Sequence, residues 1–162
     1  NRNKRSVALN LKDGRALEAF LRLVATADVF VQNFRPGVAA RLGIDYAALE
    51  PRNPGIVYAS ISGFGQDGPL ADRPAYDLVV QAMSGLMDVT GQRNGPPTAI
   101  GESMADVCAG MFAAWGISTA LFARERTGKG RHLDIAMLDS MFSMMLTVLC
   151  LRLYSDRAPV RV

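Results

Sequence analysis

Apolar positions follow two rhythms along the chain, and the change from one to the other divides it. Residues 6–11 (Ser-Val-Ala-Leu-Asn-Leu) read as a short strand, and Lys12-Asp13-Gly14 separates them from a helix whose apolar residues are Ala16, Leu17, Phe20, Leu21, Leu23 and Val24. Val29-Phe30-Val31 is apolar throughout and rich in β-branched residues, as suits a strand covered on both faces. Arg35-Pro36-Gly37 breaks the chain, and residues 38–42 and 46–50 predict two short helical pieces before Pro51-Arg52-Asn53-Pro54-Gly55. Residues 56–61 predict a third strand. Strands alternating with helices predict an α/β fold: a Rossmann-like parallel sheet with right-handed crossovers, whose ligands settle at the carboxyl ends of the strands. Binding residues are therefore expected in the loops after Leu11, Val31 and Ile61.

After residue 61 the pattern becomes helical. Ser62-Gly63-Phe64-Gly65-Gln66-Asp67-Gly68-Pro69 is a glycine-rich loop, and residues 76–83 resume a helix with Tyr76, Val79, Val80 and Met83 on one face. Residues 91–97 form a long connection. The strongest helical signal runs over 103–126 and is closed by Gly128. Residues 132–136 predict a short strand, and 137–154 a second, Met-rich helix whose methionines, 137–145, belong in the core. The expected organisation is part of an α/β layer over 1–61, followed by a loop and α-helical connector over 62–162.

Composition narrows the class. A chain of 162 residues, 49% hydrophobic and 20% charged, matches the globular average and excludes disorder, collagen and coiled coil. The richest apolar stretch, 111–123, carries Ser118 and Thr119 and stops at Arg124-Glu125-Arg126, so no membrane span is expected. Two cysteines, Cys108 and Cys150, imply no disulfide framework and fit a reducing cytoplasm. The net charge of +3 arises from 15 Arg and 3 Lys against 15 acids without a basic stripe, which favours an anionic ligand over nucleic acid. One histidine, His132, and no CxxC spacing argue against a metal site. The chain opens at Asn1 with neither an initiator Met nor a targeting segment, and closes on 157–162 without a clear stop; a piece of a longer protein is expected.

Candidate chemistry concentrates in a few places. Gly63, Gly65 and Gly68 have G-x-G-x-x-G spacing after a strand, but Pro69 and Arg73-Pro74 delay the next helix, so an ordinary tight loop is the better reading than a dinucleotide site. With Ser103 as N-cap, Asp106 falls at the third helical position and completes a Ser-x-x-Asp capping box. The same placement puts a carboxylate in the positive field of a helix start, which favours the ionised form and suits an oxygen nucleophile. Lys12, Asn33 and Arg41 lie near the expected ligand edge of the sheet, as solvated surface groups or as a hold on phosphates and adenine. Cys108 lies about 200° round the helix from Asp106 and takes no part. His132, in the basic turn Lys129-Gly130-Arg131, reads as a strand-edge residue and not a base.

The order of segments carries more than any one of them. Asn3-Lys4-Arg5-Ser6, Asn33-Phe34-Arg35-Pro36-Gly37 with Arg41-Leu42-Gly43, the loop 62–69, Arg73-Pro74-Ala75-Tyr76-Asp77, Gly95-Pro96-Pro97 and Thr127-Gly128-Lys129-Gly130 resemble, collinearly and over nearly the whole chain, the family III CoA-transferases, which include formyl-CoA and carnitine CoA-transferases. The resemblance is to an interior portion of longer proteins. It implies that Asp106 is the catalytic aspartate, attacking an acyl-CoA thioester to give an aspartyl anhydride and then an aspartyl-CoA thioester, from which CoA passes to a carboxylic acid. It further implies that Lys12, Asn33, Phe34 and Arg41 contact the CoA nucleotide, with Arg35 a neighbouring candidate, and that Tyr76 lines the thioester end. Coenzyme A is then a substrate, no metal is called for, and the intact protein would be an interlocked homodimer in the cytoplasm. The 2-methylacyl-CoA racemases of the same family carry histidine in the segment matching 73–77, where this chain has Tyr76, so transferase is favoured over racemase. A non-catalytic CoA-binding or assembly fragment is the further alternative.

Overall fold

Three parallel strands hold the fold together; the first two follow from apolar runs visible in the sequence, and the third, Arg131–Ala136, from alternating polar and apolar residues. The computed structural model describes residues 2–155 and Arg161. Its elements, in order, are α1 (Gly14–Val24), β1 (Val29–Gln32), α2 (Val38–Arg41), α3 (Tyr46–Leu49), β2 (Val57–Ser62), α4 (Asp77–Met83), α5 (Leu86–Val89), α6 (Met104–Thr127), β3 (Arg131–Ala136), α7 (Met137–Met144) and α8 (Leu146–Tyr154). The sheet order is β1-β2-β3, with Val29 opposite Val57 and Val57 opposite Arg131. The α/β class is thus observed, and β3 draws the region after residue 61 into the same sheet.

The period-2 alternation of a strand gives the sheet two different faces. Phe30 and Tyr58 project to one face, where they pack with Phe20, Leu21 and Val24 of α1 and Tyr46 and Leu49 of α3. Phe30 and Tyr58 lie 5.1 Å apart between ring centroids, Tyr58 donates to Ile44 O at 3.0 Å, and burial pushes its phenol up to about 12. Ala59, Leu133 and Ile135 project to the other face, under α4, α6 and α7. The connection from β1 to β2 therefore runs over one face and that from β2 to β3 over the other, while both step the same way across the sheet. Two such crossovers have opposite hands, so the uniformly right-handed expectation fails. The first connection carries two short helices and the second carries three.

Helix α6 turns small side chains inward and large ones outward. Ala105, Cys108, Ala109 and Ala113 are buried against the sheet, whereas Met111, Trp115 and Phe122 are exposed, Trp115 at 70%. The arrangement brings helix and sheet close together. It also spreads apolar residues all round the helix. Its 24 residues are long and apolar enough to cross a bilayer on length and composition alone, contrary to the sequence expectation, which counted only from Met111. Here one face is occupied by the sheet, α4 and α7.

Two other expectations are corrected. Residues 6–11 form no strand: they pair with nothing among the described residues, and Val7 is 68% exposed. An extended segment becomes a strand only when a neighbour takes its backbone hydrogen bonds. The helix over 137–154 is two helices bent by 74° at Met145. Met137, Met141 and Met145 are buried, but Met144 and the apolar residues of α8 are largely exposed. Of the closing segment 157–162 only Arg161 is described; it pairs with Asp88 at 3.4 Å, and the rest lies outside the described residues.

Gly130 fixes the start of the β2–β3 pairing. Its N–H donates to Pro54 O at 2.8 Å, and a Cβ at this position would collide with the carbonyl of Ile56. Gly130→Ala in the full-length protein is expected to cost about 1–3 kcal/mol of stability, read as a lower denaturant midpoint. An unchanged midpoint would contradict this register.

Candidate functional site

The carboxyl ends of the strands open into one cavity of about 320 Å³. Asn33, Phe34, Arg35 and Pro36 enter it after β1, Ser62 and Gly63 after β2, and Met137 directly after β3. Arg73, Pro74, Ala75 and Tyr76 close it from the far side, and Asp106 contributes from the head of α6. Local chemistry holds these pieces. A Cβ on Gly63 would lie 2.5 Å from that of Ala75, so glycine is what lets the segment before α4 rest on the end of β2. Asn33 donates through its amide to Ile61 O at 2.7 Å, and Gln32 accepts from Phe34 N at 2.7 Å, which pins the turn after β1. The loop after β2 makes a tight turn, with Gly65 at φ 91° and Gln66 N donating to Asp134 Oδ2 at 2.7 Å. No helix starts within it, as expected of an ordinary loop.

The start of α6 departs from the expected capping box. Ser103 makes no side-chain cap. Asp77, the first residue of α4, supplies it instead: Oδ1 accepts from Ala105 N at 2.6 Å and from Asp106 N at 3.3 Å. Asp77 Oδ2 accepts from Gln81 Nε2 at 2.5 Å. The wholly buried Gln81 in turn donates to Glu102 O at 3.1 Å and accepts from Ile100 N at 2.9 Å. A carboxylate from a separate helix thus satisfies the amides that Ser103 leaves open.

Asp106 is left exposed, and among the described residues its carboxylate takes no hydrogen bond or ion pair. Desolvation pushes it above the usual carboxylate range, and the charge of Asp77 pushes it in the same direction. This reverses the sequence argument, in which the field of the helix start favoured ionisation. Asp106 also borders a second cavity, of about 470 Å³, with Tyr76, Asp77, Glu102 and Ser103.

Of the residues singled out in the sequence, Asn33, Phe34, Tyr76 and Asp106 come together, and Arg35 joins them. Lys12 and Arg41 do not line this cavity. Lys12 sits exposed before α1, and Arg41 is exposed at the end of α2. The loop after Leu11 is likewise absent from the lining. His132 lies in β3 on the sheet face opposite α6, 2.9 Å from Ser60 Oγ and stacked on Tyr46. It lines a different cavity, with Gln32, Ser60 and Gln66, so Asp106 has no histidine partner in its own. Cys108 is buried and apart from the site; desolvation pushes its thiol up, with a further contribution from Asp77. Sequence reasoning missed Asp77, Gln81 and Arg73. No local spacing connects residue 77 with the amides at 105 and 106, although the segment 73–77 already stood out.

A fold of parallel strands whose ends surround an unpartnered aspartate at a helix start places this chain in a defined class. The chain belongs to CoA-transferase family III, whose family model matches residues 1–162. It is 51% identical to the acetyl-CoA:oxalate CoA-transferase of Acetobacter aceti, over 100% of this chain and 42% of that protein. It is 42% identical to the succinyl-CoA:glutarate CoA-transferase of Mus musculus, over 91% of this chain and 34% of that protein. The fold superposes with a TM-score of 0.96 on the crystal structure of a CaiB/BaiF family protein from Brucella suis, at 40% identity, covering 100% of this chain and 43% of that one. The chain thus spans about two-fifths of the length of these relatives.

The two candidate caps separate by mutation. Ser103→Ala is expected to change stability by less than about 0.5 kcal/mol, because no hydrogen bond is lost. Asp77→Ala is expected to cost about 1–2 kcal/mol through the open amides of Ala105 and Asp106. Unfolding midpoints of the full-length variants measure both, and the reverse order would restore the capping box.

Proposed function

We propose that the intact protein is a CoA-transferase in which Asp106 is the nucleophile. The observation that carries this reading is the exposed, unpartnered carboxylate of Asp106 between two cavities, on a helix start already capped by Asp77. Because the cap comes from elsewhere, the Asp106 oxygens are free to meet a substrate.

An Asp106 oxygen bonds to the thioester carbonyl carbon of the acyl-CoA, the carbon–sulfur bond breaks, and CoA leaves as thiolate with the negative charge. The thiolate then attacks the aspartyl carbonyl of the mixed anhydride. This forms an Asp106–CoA thioester and releases the donor acid as its carboxylate. The acceptor carboxylate repeats the two steps in reverse, and CoA departs on the new acid. Met137, Ala75 and Pro74 give the cavity apolar surface for an acyl chain, and Tyr76 lies at the reacting end. Asn33 and Phe34 would meet CoA where it enters, with Lys12 and Arg41 at the distant nucleotide end, separated from the sulfur by the pantetheine arm.

The acceptor we favour is a dicarboxylic acid. Arg35 and Arg73 line the cavity of Asp106, and no ion pair engages either among the described residues. One guanidinium can hold the far carboxylate while the near one reacts. The relatives above are named for oxalate and glutarate, which are acids of this kind. The exposed apolar residues Trp115, Phe122, Leu146 and Leu153 support an intact protein in which other segments or a partner subunit cover these faces.

Full-length protein treated with acyl-CoA and hydroxylamine should yield a hydroxamate at Asp106, located by peptide mass. Asp106→Asn should lower turnover by on the order of 10³-fold or more. Full turnover in that variant, or a hydroxamate elsewhere, would overturn the assignment. The raised Asp106 carboxyl must be ionised to attack, so activity should fall with acid at a pH above the ordinary carboxylate range.

A further inference from the structure

We propose that Asp77 is a positioning residue for this reaction: its carboxylate caps α6 and holds a like charge against Asp106, so that acylation of Asp106 relieves a repulsion. The inference rests on Asp106 being the nucleophile. Geometry gives Asp77 both tasks at once. The oxygen that accepts from Ala105 N at 2.6 Å also accepts from Asp106 N at 3.3 Å, and the two carboxylates border the same cavity of about 470 Å³. Asp77 is fixed there, because its other oxygen accepts from Gln81 and Gln81 is wholly buried and tied to residues 100 and 102.

Magnitudes decide the sign. A helix start presents roughly half a positive elementary charge, while a carboxylate within hydrogen-bond reach presents a full negative one. The sum at Asp106 is repulsive, and it adds to desolvation, the larger cause, in displacing the carboxyl upward. The other groups facing it do not alter this arrangement. Glu102, just before α6, adds a further negative charge, and Tyr76 presents its phenol. Arg35 and Arg73 are the facing cations, both exposed to solvent, and α7 contributes uncharged Met137. When the Asp106 oxygen becomes part of an anhydride or thioester, its negative charge has passed to the leaving thiolate or carboxylate. Asp77 then faces a neutral group, so it favours the covalent states over the free carboxylate.

Asp77→Asn in the full-length protein keeps an oxygen for Ala105 N and Asp106 N but sets a donor against Gln81 Nε2, so Gln81→Leu, which loses that hydrogen bond and keeps the Asp77 charge, is the control and should leave the acid limb in place. The acid limb of the pH profile of kcat/KM is expected to move to lower pH in Asp77→Asn. The fraction of enzyme trapped as the Asp106 adduct at saturating acyl-CoA is expected to fall several-fold, with Asp77→Ala behaving the same way and unfolding earlier. An acid limb and adduct fraction that stay put in Asp77→Asn, with the adduct present in the unmutated protein, overturn this inference alone. Absence of an Asp106 adduct in the unmutated protein overturns the nucleophile assignment and this inference with it.

Discussion

The cap that Asp77 places on α6 is the constraint around which the site is organised. A helix that begins beside a reaction centre must satisfy its first amides, and the nearest side chain able to do so is usually one of its own. In this chain that duty passes to α4, through Asp77 and the buried Gln81 behind it. The transfer has two effects. It locks α4, the 100–102 segment and α6 into one unit, and it leaves the oxygens of Asp106 uncommitted.

The sheet makes this arrangement possible by treating its two faces differently. An aromatic cluster of Phe20, Phe30, Tyr46 and Tyr58 anchors α1 and α3 on one face. Small residues on α6 let the helix lie close on the other, and its start reaches the strand ends where Asn33, Gly63 and Met137 meet. The large apolar residues of α6 point away from this core. The core is built from alternate residues of the strands, and the cavity from the residues at and just beyond their carboxyl ends.

Much of this was legible in the sequence wherever neighbours along the chain decide the outcome. The three observed strands, the helix from 104 and its Gly128 terminator follow from local runs and from the left-handed φ of 69° that glycine accepts. Asn33, Phe34, Tyr76 and Asp106 were named together through the family resemblance and are found around one cavity. What stayed hidden depends on distant partners. Residues 6–11 have the composition of a strand but no ladder to join. Ser103 has the right spacing for a cap, yet Asp77, 28 residues before the Ala105 amide it accepts from, takes its place. The bend at Met145 carries no glycine or proline, so only the burial of Met145 itself marks where α7 ends. The opposite hands of the two crossovers are a property of the whole sheet that no window of sequence contains.

β1 lies at one margin of the described sheet, with only β2 beside it, and its four residues, Val29-Phe30-Val31-Gln32, contain no charge and no proline. Its outward N–H and C=O groups have no strand to bond, and such a margin is a template for any extended backbone that comes near. Copies of this 162-residue chain are open to pairing through that margin, and a lysine at the exposed Val31 is the kind of gatekeeper that keeps such margins apart.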